Sequence, residues 1–298
     1  MKRNTLFRTL FALWAMTRPL IMVSVILVCI NGLLIARSQG YALSWPSIWW
    51  GLAALISITA SIHYTNEYAD YETDTLTAPT LYSGGSGILP KGEVPRHLAL
   101  QGAWVSLSVG FGIAFLGYSL GFMGKAALFC LVLGSLGGWM YSLPPLKLAW
   151  HGWGELDNAL LGGILLHLYG HALLSDQISL KMILICLPFT LLTFNNLLAT
   201  TRADQQADGL VGKRTLATQL TVRQLRRLYT AVAIAAFALL ILQSGWIIPI
   251  PVVYASMLSL PMVIWGWRTY TRIHNPYPSS NAMVVFLLAQ MIAWYGMS

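Results

Sequence analysis

The chain has 298 residues, of which 56% are hydrophobic and 9% are charged, with a formal net charge of +8. Soluble domains carry about 25% charged residues, so this composition excludes an ordinary soluble protein and a disordered chain. Long unbroken apolar runs exclude a membrane β-barrel, whose strands alternate apolar and polar residues. Cys29, Cys130 and Cys186 all lie within apolar runs, which indicates buried thiols and no disulfide framework.

Nine apolar segments are candidates for membrane spans, because a spanning helix needs roughly 20 mostly apolar residues. They are predicted at residues 11–36, 45–68, 97–121, 124–142, 155–174, 178–200, 227–243, 246–268 and 281–297. Gly245 separates the seventh from the eighth, and Pro249, Pro251 and Pro261 are expected to kink the eighth. The sequence therefore predicts an all-α integral membrane protein with nine transmembrane helices and a single domain over residues 1–298.

The basic residues predict the orientation of these helices. With nine spans, fifteen of the 18 lysines and arginines lie on the side of the N-terminus, and only Arg37, Lys125 and Lys181 lie opposite. Positive loops face the cytoplasm, so the N-terminus is expected there, as are two long loops at about 69–96 and 201–226. The same rule explains the net charge without nucleic-acid binding. In a bacterium the protein is expected in the inner or cell membrane.

Acidic residues are scarce, and four of the ten lie in one segment that ends the second predicted span. It reads Asn66-Glu67-Tyr-Ala-Asp70-Tyr-Glu72-Thr-Asp74. Asn66, Asp70 and Asp74 are four residues apart and share one helical face, whereas Glu72 points elsewhere. Acids at a membrane boundary are costly and tend to be functional.

Asp204 and Asp208 repeat the four-residue spacing after the sixth predicted span. Like charges at this spacing destabilise a helix, and a bound cation would reverse that cost. Oxygen ligands, few in number and shared with substrate phosphates, suit Mg²⁺. The alternative is that each cluster is a solvated helix end. Two clusters on one predicted side favour a shared metal site over that alternative.

Two further segments contain features that suit phosphate. Glycine-rich backbone at Ser83-Gly-Gly-Ser-Gly87, with Lys91 close behind, can bind phosphate through its amides, although such runs are usually flexible linkers. Lys213 and Arg214 follow the second acidic cluster, either to neutralise a diphosphate or as ordinary cytoplasmic loop charges.

These motifs, in this order, resemble the UbiA superfamily of intramembrane prenyltransferases. That family carries Asn-Asp-x-x-Asp-x-x-x-Asp after helix 2 and Asp-x-x-x-Asp after helix 6, matched here by Asn66–Asp74 and Asp204–Asp208. Its Tyr-x-x-Pro-Pro and Lys signature is matched by Tyr141-Ser-Leu-Pro-Pro-Leu-Lys147, followed by Gly152-Trp-Gly-Glu155. Arg18-Pro19 is similar to its entry motif.

The resemblance implies nine helices around a central cavity, with both aspartate motifs at its cytoplasmic end. It also implies two Mg²⁺ ions, an allylic prenyl diphosphate, membrane lipid around the helices and an aromatic or other small acceptor. The implied metal ligands, with Glu67 as an additional candidate, are Asn66, Asp70, Asp74, Asp204 and Asp208.

The same resemblance implies roles for cationic and aromatic residues. The candidate diphosphate contacts are Arg18, Lys91, Arg202 and Lys213. An acceptor carboxylate would pair with Arg18, Lys147 or Arg202. Aromatic faces can shield an allylic cation, and those near the motifs are Tyr64, Tyr68, Trp139 and Tyr141, of which Tyr141 is the catalytic candidate. The released diphosphate or an acid such as Asp70 would take the proton from the acceptor.

Within the superfamily, the glycine-rich segment and Gly212-Lys-Arg-Thr-Leu216 look most like the dihydroxynaphthoate (menaquinone) branch. Glu67 departs from the usual aspartate by one methylene, and Ala203 stands where that branch often has arginine. Asn195-Asn196 begins nine residues before Asp204, farther than the branch pattern.

Two other functions share these features. A cyclase of the same superfamily would ionise the same diphosphate and trap the cation intramolecularly. A nine-helix transporter would use the carboxylates as an ion path, but its acids should lie near the bilayer midplane and not at helix ends. His167 and His171, four apart in the fifth span, could bind a metal, touch an acceptor or be polar groups satisfied by neighbouring helices, and we favour the last.

Overall fold

The computed structural model describes residues 2–77 and 85–297. Within these ranges the elements are helical, apart from one isolated bridge between Ser244 and Ile248. The first helices are α1 (Lys2–Met16), α2 (Pro19–Ser38), α3 (Trp45–Ala69), α4 (Tyr71–Asp74), α5 (His97–Ser119), α6 (Lys125–Ser142), α7 (Gly154–Ala159) and α8 (Leu166–Ser175). The others are α9 (Leu180–Ala203), α10 (Gln205–Leu210), α11 (Leu216–Gln219), α12 (Val222–Leu242), α13 (Ile250–Met257), α14 (Leu260–Thr269) and α15 (Tyr277–Tyr295). The all-α prediction is confirmed.

The predicted first span, 11–36, is two helices instead of one. Arg18, between α1 and α2, has the left-handed conformation with φ 51°. Pro19 explains the break, because proline disfavours the right-handed helical conformation in the residue before it. The break turns the Arg18 side chain toward the interior cavity described below.

The predicted eighth span is also divided. α13 and α14 meet at Leu258 and Ser259 with a bend of 41°, and Pro261 lies in the first turn of α14. The predicted kink is therefore a break. The predicted fifth span is a continuous rod of α7, a π-helical turn at Leu160–Leu165 and α8.

By length and composition, five described helices can cross a membrane, namely α2, α3, α5, α9 and α12. The bent pair α13 and α14 makes a sixth if it counts as one span. This supports the membrane class and leaves the count of nine unconfirmed.

A ring of packed helices surrounds the interior cavity. α3 packs on α6, α6 on α8, α8 on α2, α2 on α15 and α15 on α9, while α5 and α12 lie outside against α3 and α9. At the α2–α8 contact the two backbones lie very close together: a Cβ on Gly32 would lie 2.2 Å from the His167 carbonyl oxygen, and one on Gly170 would lie 2.0 Å from the Cys29 carbonyl oxygen. Glycine lets these two backbones touch, as in many membrane helix pairs.

Candidate active site

One large cavity, about 400 Å³ in volume, lies among α2, α3, α6, α7, α9 and α15. Its polar lining includes both acidic segments, together with Arg18, Tyr141 and Lys213. The rest of its lining is mostly apolar and comes from the interiors of the helices, for example Val28, Leu55, Ile58, Leu131 and Phe189. Such a cavity suits a ligand with a charged head and an apolar chain.

The end of α3 positions the first acidic segment. Asp70 caps α3, and the short helix α4 ends at Asp74. The Asn66 amide group donates hydrogen bonds to Asp70 Oδ2 at 2.8 Å and to Ser142 Oγ at 3.3 Å. Asn66, Asp70 and Asp74 all line the cavity, whereas Glu72 is exposed. The four-residue spacing thus brings the three residues to one cavity.

α9 and α10 repeat this arrangement for the second acidic segment. Asp204 caps α9, Asp208 lies in α10, and the Asp208 amide donates to the Asp204 carbonyl at 2.9 Å. Both side chains line the cavity that Asp70 and Asp74 line. Asp208 is 2% exposed, and its Oδ1 accepts no hydrogen bond from any described residue. Two clusters that are distant in sequence therefore meet at one cavity.

Lys213 joins the two segments. Its Nζ lies 3.0 Å from Asp70 Oδ1 and 3.7 Å from Asp208 Oδ1. A short turn holds it there, because the Lys213 amide donates to the Asp208 carbonyl at 2.8 Å. The side chain is buried, with the residue 8% exposed. Of the two roles that the sequence left open, this burial between carboxylates favours the site over an ordinary loop charge.

Burial and charge shift the pKa values of these groups. Burial raises the pKa of Asp74 to about 7, against the opposing effect of Arg18. It likewise raises the pKa of Asp208 to about 7, against the effect of Lys213. For Lys213 burial alone would lower the pKa, but Asp70 and Asp208 more than offset it, so the pKa is raised and the ammonium group stays charged.

This donor set fits a hard divalent cation. The four aspartates and the Asn66 amide supply oxygen atoms to one cavity, and the buried Asp208 Oδ1 has an unused acceptor capacity within the described chain. Among the described residues no group of three or more His, Cys, Asp or Glu side chains is arranged so that it could hold a metal ion by itself. Mg²⁺ is usually held by one or two carboxylates together with substrate phosphates, so an incomplete cage suits it.

The motif that ends in Glu155 braces the loop that carries Lys213. Glu155 Oε1 accepts a hydrogen bond from the Leu216 amide at 2.9 Å. In the same loop the Arg214 amide donates to the Trp150 carbonyl at 3.2 Å. Glu155 itself lines the cavity and is buried. The segment at residues 152–155 therefore acts on the site by holding the loop beside it.

Three predicted cations lie elsewhere. Lys91 and Lys147 are exposed, and Lys147 Nζ lies 5.8 Å from the centroid of the Trp150 ring. The Arg202 guanidinium donates to Gln205 Oε1. In the described chain none of these three is among the residues that line the cavity. Each of the three lies on a loop or at a helix end, and its side chain is directed to another partner or to solvent. It therefore does not reach the cavity.

The glycine-rich segment reaches the site in a different way from the one predicted. Ser83 and Gly84 lie outside the described residues. Gly85 lines the cavity, and a Cβ there would lie 2.0 Å from Asp74 Oδ2. The Ser86 amide, expected to be available for phosphate, donates instead to Glu67 Oε1 at 2.8 Å.

Aromatic side chains near the motifs divide into two groups. Tyr141 lines the cavity as expected. Tyr64 and Trp139 are used in packing, because the Tyr64 hydroxyl donates to the Leu13 carbonyl at 3.0 Å and Trp139 Nε1 donates to Ser61 Oγ at 2.9 Å. Tyr68 lies under the Arg96 guanidinium, 4.5 Å from its ring centroid.

Sequence reasoning missed several cavity residues, among them two aromatic and two polar side chains. Tyr169 and Phe189 line the apolar part, and the Tyr169 hydroxyl donates to the Gly51 carbonyl at 2.7 Å. Nothing in the sequence distinguishes them from other aromatic residues in apolar spans. Asp157 and Asn158 also line the cavity, and their polarity at the start of a predicted span was the available signal.

His167 and His171 form separate polar contacts, as favoured from the sequence. His167 Nε2 lies 3.1 Å from Asn31 Nδ2, and its Nδ1 faces the Gly163 carbonyl. His171 Nε2 lies 3.0 Å from Gln39 Oε1. Each histidine thus finds its own partners on its own or a neighbouring helix.

Comparison with known proteins agrees with the fold. The model of the UbiA prenyltransferase family matches residues 23–289. The 1,4-dihydroxy-2-naphthoate octaprenyltransferase of Bacillus subtilis (strain 168) is 24% identical over an alignment of 258 residues that covers 82% of this chain and 78% of that protein. A UbiA homologue from Archaeoglobus fulgidus, solved with DMAPP and Mg²⁺, has a TM-score of 0.70 at 14% identity, over 95% of this chain and 99% of that one. The apo UbiA homologue from Aeropyrum pernix K1 has a TM-score of 0.68 at 17% identity, over 93% and 96%. The chain is therefore an all-α integral membrane prenyltransferase and belongs to the UbiA prenyltransferase family.

Proposed function

We propose that the protein transfers a prenyl group from an allylic prenyl diphosphate to an aromatic acceptor in quinone biosynthesis, and that it depends on Mg²⁺. The observation that carries this proposal is the junction of two acidic segments at the polar end of a cavity whose remainder is apolar. The Archaeoglobus fulgidus homologue bound to DMAPP and Mg²⁺ supports the substrate class and the metal.

In this proposal Asn66, Asp70, Asp74, Asp204 and Asp208 hold two Mg²⁺ ions against the diphosphate. The chemistry that bound Mg²⁺ supplies is neutralisation of the charge that develops on the diphosphate as its allylic C–O bond breaks. Arg18 and Lys213, the predicted cations that line the cavity, bind the diphosphate oxygens directly. The apolar wall takes the prenyl chain.

Transfer then needs an acceptor beside the allylic carbon. Tyr141 presents an aromatic face near the acidic segments, and such a face stabilises a nearby cation. The new bond joins the allylic carbon to the acceptor ring, and the ring proton passes to the released diphosphate or to a carboxylate such as Asp70. Arg18 is the cavity cation that can pair with an acidic acceptor, whereas Lys147 and Arg202 are not in position to do so.

A product panel tests the reaction. Purified protein with Mg²⁺ and farnesyl or geranylgeranyl diphosphate is incubated with dihydroxynaphthoate, with hydroxybenzoate or with no acceptor. The name of the Bacillus subtilis relative leads us to expect prenylated dihydroxynaphthoate as the fastest product. Equal diphosphate release without acceptor, accompanied by a cyclic hydrocarbon, would replace the transferase proposal with the cyclase alternative.

The pH dependence follows from the raised pKa values of Asp74 and Asp208, both about 7. Metal ligands must be ionised, so protons compete with Mg²⁺ as the pH falls below 7. We expect the Mg²⁺ concentration for half-maximal diphosphate release to rise about tenfold between pH 7 and pH 6, and to change little above pH 8. A requirement for Mg²⁺ that is constant from pH 6 to pH 8 would contradict this assignment.

We further propose that the N-terminus and the acidic end of the cavity face the cytoplasm, as the positive loop charges suggest. Cysteines introduced at the exposed positions Thr75 and Gly209 should react with an impermeant maleimide only from the cytoplasmic side. One at Gln177 should react only from the opposite side. The native cysteines are all buried and should stay silent. Labelling of Thr75→Cys and Gly209→Cys from opposite faces would contradict a shared site.

A further inference from the structure

Glu67 lies inside the first acidic segment, yet both of its carboxylate oxygens already have partners. Oε1 accepts from Arg18 Nε and Arg18 Nη2, each at 2.7 Å, and from the Ser86 amide at 2.8 Å. Oε2 accepts from the Ser86 hydroxyl at 2.6 Å. The residue is 1% exposed. Buried charge that is fully hydrogen-bonded in this way is costly to disturb.

We propose that Glu67 is a positioning residue that fixes Arg18 and the 85–87 backbone at the polar end of the cavity, and that it is not a Mg²⁺ ligand. The proposal rests on the proposed function, because it assigns the role of Glu67 relative to the diphosphate site. Its immediate neighbour Asn66 contacts Asp70, whereas Glu67 faces the other way, toward Arg18.

The contact between Glu67 and Arg18 holds a strained junction between α1 and α2. Arg18 has φ 51°, a conformation that residues with a side chain rarely adopt, and it connects α1 to α2. Two other α3 side chains hold the same junction: His63 Nδ1 contacts the Thr17 carbonyl, and the Tyr64 hydroxyl contacts the Leu13 carbonyl. With these contacts in place, the Glu67 carboxylate sets the direction of the guanidinium in the cavity.

The contact with Ser86 holds the described part of the glycine-rich segment, residues 85–87, against Asp74. Gly85 has φ +68° and packs so closely on Asp74 that a Cβ would lie 2.0 Å from Oδ2. The segment can occupy this place because Ser86, the next residue, is hydrogen-bonded twice to Glu67. Loss of the Glu67 charge should therefore release both the Arg18 side chain and the 85–87 backbone that packs on Asp74.

Kinetics separate a positioning residue from a metal ligand. For Glu67→Gln we expect the KM for the prenyl diphosphate to rise about tenfold at saturating Mg²⁺, because a charge-assisted contact to Arg18 is lost. The Mg²⁺ concentration for half-maximal rate should stay within about twofold, whereas removal of a direct oxygen ligand should raise it well beyond that. Glu72→Gln, which changes an exposed acid in the same segment, should match the wild type in both quantities.

A second measurement needs no activity. Trypsin cleavage after the exposed Lys91 reports release of the segment in detergent. We expect cleavage to be several times faster in Glu67→Gln than in the wild type, and intermediate in Ser86→Ala, which removes one of the two Ser86 contacts and leaves the Arg18 pair.

A tenfold or larger rise in the Mg²⁺ requirement of Glu67→Gln, with unchanged KM and unchanged cleavage, would overturn the proposal. If Glu67→Gln does not fold, unchanged cleavage and KM in Ser86→Ala would overturn it. If the wild type releases no diphosphate, the proposed function fails, whereas the cleavage comparison still decides whether Glu67 holds the segment.

Discussion

Asp208→Asn is expected to reduce Mg²⁺-dependent diphosphate release by about 10³-fold or more, because it removes a proposed Mg²⁺ ligand at the point where charge develops. The side chain is 2% exposed, and its Oδ1 has no hydrogen-bond donor among the described residues. Asn has nearly the same volume, and Lys213 keeps its 3.0 Å contact with Asp70, so the fold should survive. Asp70→Asn, in the other segment, should have a similar effect. Both are measured by phosphate release after pyrophosphatase treatment.

The matched control is Glu72→Gln, which removes one charge from an exposed acid of the same segment. It should retain activity within about twofold, because surface charges distant from a site contribute little. Unfolding midpoints in detergent show whether each variant is intact. Full activity in Asp70→Asn and Asp208→Asn would refute the metal site, and a large loss in Glu72→Gln would show that the segment is not arranged as described.

Lys213→Gln is expected to lower kcat/KM by about 10²-fold, because one fixed donor to a developing negative charge is lost. Lys213 Nζ is also the described link between Asp70 and Asp208. Breaking a buried ion pair leaves its partners uncompensated and costs about 3 kcal/mol. We therefore expect a lower unfolding midpoint at pH 8, a loss that Asp208→Asn should not share to the same degree.

Arg214→Gln is the matched control for that variant. Arg214 adjoins Lys213 and carries the same charge, but it is exposed. Its replacement should leave kcat/KM within about twofold. Equal losses in Lys213→Gln and Arg214→Gln would assign the effect to the positive charge of the loop and not to the buried ammonium group.

The acidic site could largely be predicted from the sequence, because the residues of each acidic segment lie close together in the chain. Asn66, Asp70 and Asp74 share a face through helical spacing alone, and Asp204 and Asp208 repeat it. The spacing of the motifs could not show which lysine or arginine side chains reach the cavity. Lysine and arginine side chains are long, so their positions depend on the partners that neighbouring elements offer. Lys213 reaches the cavity, whereas Arg202 is directed to Gln205.

The helix breaks, too, could be predicted only in part from the sequence. Pro19 and Pro261 are visible in the sequence, and the chain does depart from a straight helix beside each of them. The direction that follows a break is a property of the packed structure, since side chains of other helices hold it. At Arg18 the carboxylate of Glu67 and the imidazole of His63, both on α3, do so.

Apolar runs and short motifs consist of residues close together in the chain, so the helical membrane class, the two acidic segments and the family can be identified without the structure. Tertiary packing sets three features that no motif encodes: Glu67 contacts Arg18 and Ser86, Lys213 is buried between the two segments, and Tyr169 and Phe189 line the apolar part of the cavity. The role of a buried charge or aromatic ring depends on the residues that it contacts. Those partners come from helices distant in sequence, which only folding brings together.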